Sequence, residues 1–458
     1  MRVFFTNLGC KLNQAELERL AREFHAAGHR VVAELGEADL HVVNTCTVTH
    51  LAARTSRKRA RRGARERPGL RTVLTGCYAT GSADEAARLA GVDLVVPNPD
   101  KERLLERVQQ AFPDLAAGEG GALPGPPAGL DVPYVPLAFG NTRALVKIED
   151  GCNVGCTFCI IPSTRGRQRS RPVDAVVAEV ASMAAAGVVE VVVTGVQISH
   201  YRDGAARLPD LVAALLERTR VPRLRLTSIA PWRFDERLLE LLAEPRLCRH
   251  VHLSLQSGCD ATLARMRRPY TAARYARLVE RLRTAVPGVA VTTDVIAGFP
   301  GESDEEFAAS LAFVRAMGFA RIHAFPYSAR EGTAAAAMPD PVALEAKRER
   351  MAELLAVADG AERAFRAAQV GGRGEVLWES RRDGRWQGTT DTSLRVYADD
   401  SRAAGAVALL GSLANTLTPA RLTGLTADGL SGVPLGAAAS RSASPARRPG
   451  RPAPRRCP

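Results

Sequence analysis

The 458-residue sequence predicts an α/β fold in three parts: an N-terminal parallel-sheet domain over residues 1–116, a central partial (β/α)6 barrel over 141–366, and a small all-β barrel over 370–430. Three observations carry that division. Strand-like and helix-like runs alternate in two successive rounds, which places parallel strands beneath covering helices. A Gly/Pro-rich, acid-poor stretch at 117–140 separates the two rounds and reads as a linker. From residue 371 onward, short strands follow one another with turn residues between them. A tail over 431–458, rich in Ala, Pro, Arg and Ser, reads as disordered and basic.

In the first part, residues 2–6 form a short β-branched and aromatic run, 16–27 carry helical periodicity, 40–44 form a second strand and 72–75 a third. Each strand runs into a cysteine: Cys10, Cys46 and Cys77. Ligands of open α/β sheets sit beyond the carboxyl ends of the strands, so three neighbouring strand ends can gather these thiols although they lie far apart in sequence. Three thiolates can hold a cluster with one iron left open. The plainer alternative is three separate buried cysteines acting as small hydrophobes.

In the second part, a strand at 145–148 leads into Glu149-Asp150-Gly151-Cys152-Asn153-Val154-Gly155-Cys156-Thr157-Phe158-Cys159, and further strands are expected at 188–194, 224–226, 251–255, 289–296 and 322–325. About six βα units are too few to close an eight-stranded barrel, and a barrel open on one side suits a bulky substrate. Cys152, Cys156 and Cys159 on one tight loop can bind three irons of a 4Fe–4S cluster and leave the fourth without a protein ligand. A zinc knuckle is the bland alternative. Zinc, however, closes its shell with four ligands, usually as spaced pairs, and no fourth Cys or His lies close by. Nine cysteines, an odd count, and the lack of a secretory signal disfavour disulfides.

The composition, 46% hydrophobic and 24% charged, is that of a soluble globular protein, and no apolar run is long enough to cross a bilayer. A cytoplasmic location is expected, with no membrane partner. The net charge of +13 gathers in two places. Between Arg54 and Arg67 eight basic residues, among them Arg57, Lys58 and Arg61, face the single acid Glu66, and six arginines follow Leu435 with no acid. Such patches point to a polyanionic partner, because neutralising phosphates releases counterions. A solvated helix face with a disordered tail is the equally simple alternative.

The cysteine loop resembles that of the radical S-adenosylmethionine enzymes, including the aromatic Phe158 before the third Cys. Leu8-Gly9-Cys10-Lys11-Leu12-Asn13-Gln14, Asn44-Thr45-Cys46-Thr47-Val48-Thr49 and Thr75-Gly76-Cys77 resemble the three signature segments of the methylthiotransferase family. Their wording is similar to the branch that modifies N6-threonylcarbamoyladenosine in tRNA. The resemblance implies two 4Fe–4S clusters, on Cys10, Cys46 and Cys77 and on Cys152, Cys156 and Cys159, with S-adenosylmethionine bound at the second. The 5′-deoxyadenosyl radical made there would activate carbon 2 of the adenine at position 37, and the first cluster would deliver sulfur that is methylated by another S-adenosylmethionine.

By the same resemblance, Gly195 in Thr194-Gly195-Val196-Gln197 offers backbone contact to the cofactor, although that segment lacks the acid seen in many radical enzymes. Ser254 and Gln256 supply hydrogen-bonding side chains toward the barrel mouth, and Asp294 and Gly298 belong to the segment that passes the adenine. The third part resembles the RNA-binding TRAM domain, with Trp386 and Arg395 as RNA contacts, although Thr390-Asp391-Thr392-Ser393 departs from the usual Thr-Asp-Asn-Tyr. Cys248, Cys259 and Cys457 read as non-ligands. The expected partners are tRNA, an external electron donor and a sulfur source. The rival functions are a methylthiotransferase acting on isopentenyladenosine or on a ribosomal protein, and a noncatalytic RNA-binding protein whose cysteines hold zinc.

Overall fold

The structure is a computed structural model that describes residues 1–116 and 142–435. The expected linker at 117–140 and Cys457 lie outside the described residues. No helix among the described residues is long and apolar enough to cross a membrane.

The first part is a five-stranded parallel sheet. In chain order its elements are β1 (Arg2–Asn7), α1 (Lys11–Ala26), β2 (Arg30–Val31), β3 (Leu40–Thr45), α2 (His50–Glu66), β4 (Arg71–Gly76), α3 (Cys77–Gly81) and β5 (Leu94–Val96). The strand order is β2-β1-β3-β4-β5. All six residues of β3 are buried, as a central parallel strand covered on both faces requires. Its core holds Val3, Phe5, Val42 and Val73 against Leu17, Leu20 and Phe24 of α1. Helix α1 begins five residues before the periodicity suggests, because Leu12, Asn13 and Ala15 are buried too, Ala15 against the next domain.

The second part is a curved run of six parallel strands: β6 (Arg143–Lys147), β7 (Glu190–Thr194), β8 (Arg223–Leu226), β9 (His250–Leu253), β10 (Ala290–Ala297) and β11 (Arg321–Pro326). The pairing follows chain order, with β8 extended by Ser228–Ile229 onto β9. Helix α4 (Ile161–Arg165) follows the cysteine loop, and α5 (Val173–Ala185), α6 (Leu208–Arg218), α7 (Glu236–Leu241), α8 (Ala272–Ala285), α9 (Asp304–Ala316) and α10 (Leu344–Ala367) complete the units. The outward faces of the strands meet these helices in one continuous core. Ala15 of α1 packs on Leu145 and Val192, which point the other way, so the N-terminal domain lies against the inside of the open barrel.

The third part is a closed barrel of β12 (Arg373–Arg382), β13 (Arg385–Thr390), β14 (Arg395–Asp399), β15 (Thr416–Leu425) and β16 (Leu430–Pro434), ordered β12-β13-β14-β16-β15. The expected small β-barrel is present as five closed strands, with α11 (Asp400–Leu410) inserted between β14 and β15 and burying Ala403 and Ala406 in the barrel core. One boundary is corrected here. The tail does not start at 431, because residues 431–434 complete the last strand.

A buried ion pair fixes this barrel to the base of the second domain. Glu190 accepts from Arg223 Nε at 2.5 Å and Arg225 Nε at 2.8 Å, and both guanidinium groups continue to the carbonyls of the Thr389-Thr390-Asp391 turn at 2.9–3.0 Å. Burial alone would raise the Glu190 pKa, but the charges of Arg225 and Arg223 prevail and hold it at about 2. Carboxylate and guanidinium groups are all inaccessible to water, so each supplies the solvation the others lost. Replacing Glu190 by Gln is expected to cost about 3–5 kcal/mol at pH 7, since two buried cations lose their counter-charge. The difference from wild type should shrink as the pH falls from 4.5 toward 2, where wild-type Glu190 itself protonates; denaturant unfolding across that range checks it.

Candidate active site

Cys10, Cys46 and Cys77 leave the C-terminal ends of three adjacent strands, β1, β3 and β4. Cys10 is the N-cap of α1, Cys46 directly follows β3, and Cys77 opens α3. Two glycines make the convergence possible. At Gly9, with φ +100°, a Cβ would stand 2.8 Å from Cys46 Sγ. At Gly76, with φ +98°, a Cβ would run into the Thr45 carbonyl and stand 2.5 Å from Asn44 Oδ1. Asn13 ties the loops together by donating from Nδ2 to Leu8 O at 2.7 Å and Thr45 O at 3.0 Å. Burial, with the neighbouring Cys77 and Cys10, pushes the Cys46 thiol up to about 11. It is therefore deprotonated at neutral pH only by a bound cation.

The second set lies on the loop after β6. Gly151, with φ +75°, passes so close to the Arg167 carbonyl that no side chain fits. Cys152 N donates to Gly166 O at 3.1 Å and Cys159 N to Cys156 O at 3.1 Å, which closes the loop. Two donors point at sulfur: Val154 N to Cys152 Sγ and Arg268 Nη1 to Cys156 Sγ, both at 3.4 Å. Burial drives Cys159 to about 12 and raises Cys152 as well. Thiols held in dry surroundings and met by a guanidinium fit a cationic metal cluster and its anionic sulfur shell. Among the described residues no three His, Cys, Asp or Glu side chains close around one point, as a single zinc ion requires. On a cluster each thiolate binds a different iron.

The remaining expected cofactor residues surround this loop. Phe158 meets Phe299 edge-on at 6.5 Å, beside Met266 and Ala335. Gly195 lies against Glu149, whose Oε1 accepts from Gln197 N at 2.5 Å and leaves no room for a Cβ. Glu149 is buried, Oε2 has no hydrogen-bond partner among the described residues, and burial raises its pKa to about 7. Ser254 presents its carbonyl to Arg268 Nη2 at 2.7 Å. Gln256, in the left-handed region at φ +73°, bridges β9 to β10 through Asp294 O and Ile296 N. Asp294 Oδ2 hydrogen-bonds His252 Nε2 at 3.1 Å, and Gly298 N donates to Glu302 Oε2 at 2.7 Å.

A buried charge network joins the two cysteine sets. Glu16 of α1 accepts from Arg165 Nη1 at 2.9 Å and Lys147 Nζ at 3.3 Å on one oxygen, and from Lys101 Nζ at 2.7 Å on the other. Arg165 continues to Asp150 Oδ1 at 2.9 Å and Asn13 Oδ1 at 2.5 Å. Asn13 is three residues from Cys10, and Asp150 is two from Cys152. Asn98 Nδ2 completes the link between Thr164 O at 2.8 Å and Cys77 Sγ at 3.8 Å. Cationic side chains thus outnumber carboxylates in the network that reaches Cys77 through Asn98.

The sequence matches the radical SAM superfamily over residues 146–314 and the uncharacterized protein family UPF0004 over residues 2–97. It is 38% identical to the threonylcarbamoyladenosine tRNA methylthiotransferase MtaB of Bacillus subtilis over 78% of this chain and 80% of that protein. The MtaB of Chlamydia pneumoniae is 32% identical over 93% and 96%. The chain belongs to the radical SAM methylthiotransferase family. Another relative, the tRNA-2-methylthio-N(6)-dimethylallyladenosine synthase of Sorangium cellulosum, is 36% identical over 90% of each chain. In fold, the chain is similar to the radical S-adenosylmethionine methyltransferase TsrM of Kitasatospora setae, with a TM-score of 0.55 at 18% identity over 71% of this chain and 74% of that one. Membership in this family makes S-adenosylmethionine and a 4Fe–4S cluster the cofactors of the radical domain.

The expected RNA contacts divide. Lys58 and Arg61 are exposed on α2, whose first turn begins four residues after Cys46, while Arg57 is partly covered and pairs with Glu85 at 3.4 Å. Arg395 is exposed and paired with Asp428 at 2.9 Å. Trp386 is a correction: it is 7% exposed in the barrel core and offers no face for a base. Cys248 is buried in the base of the barrel, and Cys259 caps the helix at Asp260–Arg265. Arg268, Glu149 and Glu16 escaped the sequence reading; the Met266-Arg267-Arg268-Pro269-Tyr270 run was the available signal for the first.

Gly76→Ala is expected to cost more than about 2 kcal/mol and to halve the iron bound after anaerobic reconstitution, because the strand end can no longer bring Cys77 to Cys46. Iron and sulfide analysis with a thermal melt checks both effects.

Proposed function

We propose that this enzyme transfers a methylthio group to carbon 2 of N6-threonylcarbamoyladenosine at position 37 of tRNA, with a second 4Fe–4S cluster on Cys10, Cys46 and Cys77. The observation that carries the proposal is the Glu16–Arg165 network, which ties the helix that starts at Cys10 to the radical loop. A radical generator and a sulfur carrier must share a chamber if one target atom is to meet both. When bound, the two groups supply the radical that opens the C–H bond and the sulfur that replaces its hydrogen.

The chain's own residues supply position and exclusion. Gly9 and Gly76 let the cysteine-bearing strand ends approach one another, Arg268 and Val154 N stabilise charge on the radical-site sulfurs, and Glu149 locks the Gly195 loop onto the cysteine loop. Helix α2 leads away from Cys46 with Arg54, Lys58, Arg59, Arg61 and Arg65 exposed, a track for the phosphates of an anticodon stem. The relatives that match over most of the chain and carry the name MtaB favour the threonylcarbamoyl substrate. A tRNA substrate places the enzyme in the cytoplasm, with an external electron donor and sulfur source.

Nucleosides from cells lacking the gene are expected to lose the 2-methylthio form while threonylcarbamoyladenosine accumulates. Loss of 2-methylthio-isopentenyladenosine instead would assign the other tRNA substrate. Reversing Lys58 and Arg61 to Glu should weaken tRNA binding and flatten its log–log salt dependence by about 0.7–0.9 per lost phosphate contact, read by fluorescence anisotropy. S-adenosylmethionine cleavage without tRNA should be unchanged in that variant.

A further inference from the structure

Lys11 follows Cys10 directly and is the first residue of α1. A cation there opposes the positive end of the helix dipole, so the position is electrostatically unfavourable for it. The side chain is exposed, yet it feels Arg225, Arg143 and Arg321 from the barrel strands and in turn repels His250 and His323. It therefore stands between the first domain and the barrel strands, where neighbouring protein strips it of part of its water. The carboxylate in reach, Glu190, is already held by Arg223 and Arg225. Lys11 has no ion pair or hydrogen bond among the described residues, whereas the interior cations Lys101, Arg165, Arg223, Arg225 and Arg350 are all paired.

We propose that Lys11 receives the carboxylate of the substrate's threonyl group and so selects the charged nucleoside over neutral N6-alkyl adenosines. This rests on the function proposed above. The chemistry of the nucleoside places the carboxylate near this lysine. The ureido N–H of the threonyl arm folds back onto N1 of the adenine and closes a planar six-membered hydrogen-bonded ring. The carboxylate then lies on the same edge of the base as carbon 2, the atom that must meet sulfur beside Cys10. A lone cation with no competing acid, one residue from the sulfur site, matches that anion in position and sign. Arg321, on β11, adds positive potential there.

The test uses the reconstituted full-length enzyme with tRNA carrying threonylcarbamoyladenosine and the same tRNA with its carboxylate converted to a methylamide. Wild type should prefer the free acid by about 10- to 100-fold in kcat/KM, the range of one charge-assisted hydrogen bond. Lys11→Gln should lose that factor on the free acid, match wild type on the amide, and retain iron, sulfide and S-adenosylmethionine cleavage. Lys11→Arg should restore the preference. A Lys11→Gln enzyme that still prefers the acid overturns the assignment of Lys11 alone. Wild type that leaves the free-acid tRNA unmodified while acting on isopentenyladenosine tRNA overturns the proposed substrate, and this inference with it.

Discussion

Glu16 is a carboxylate sealed from water between two domains, and three cations from three different segments meet on it. Burial alone would favour its neutral form, but Lys101, Arg165 and Lys147 hold it ionised. Such a group tolerates little movement, because any gap leaves a buried charge without a partner. The consequence is geometric. Lys101 belongs to the short helical turn at 98–103 that follows edge strand β5, Arg165 to the helix after the radical loop and Lys147 to the strand before it, so the network fixes both cysteine sets relative to one carboxylate. Hydrogen bonds such as Asn98 to Thr164 and the packing of Gly81 against Thr164 add to that link.

The charge distribution divides the molecule's labour in a way that bulk composition conceals. Arginines in the barrel base serve as structural cement, paired with Glu190 and with carbonyls of the third domain. Because the Thr389-Thr390-Asp391 turn is committed to that junction, this part of the small barrel serves docking and is not free to read RNA. Exposed positive charge is concentrated on α2, next to the strand ends that carry Cys10, Cys46 and Cys77. Lys11 differs from both groups: it stands beside Cys10 with no acid paired to it among the described residues.

The cysteines were legible because their signals are local: one tight loop, and three strand ends marked by Gly or Thr. The six-strand barrel was legible from alternation alone. Glu16 was illegible because it meets Lys101 85 residues away and Arg165 149 residues away, and nothing in a helical pattern tells a buried acid from a solvated one. Trp386 was misread because an aromatic on a strand of an RNA-type barrel serves either face equally well; only the pleat decides, and here it points inward. Helix α11 was overlooked although its Ala-rich run has high helix propensity, since short strands on both sides outweighed it. Glu149 lay within the motif itself, but its contact with the Gly195 loop depends on how two strand ends meet.

The central claim is that two three-thiolate sites share one chamber, held in register by the Glu16 network. The most direct measurement is electron paramagnetic resonance of the reduced, anaerobically reconstituted enzyme, compared with variants in which Cys10, Cys46 and Cys77 or Cys152, Cys156 and Cys159 are replaced by Ala. The account requires a wild-type spectrum broadened and faster-relaxing through spin coupling, unlike the sum of the two variant spectra. A wild-type spectrum equal to that sum, or one that shows a single cluster, would contradict it.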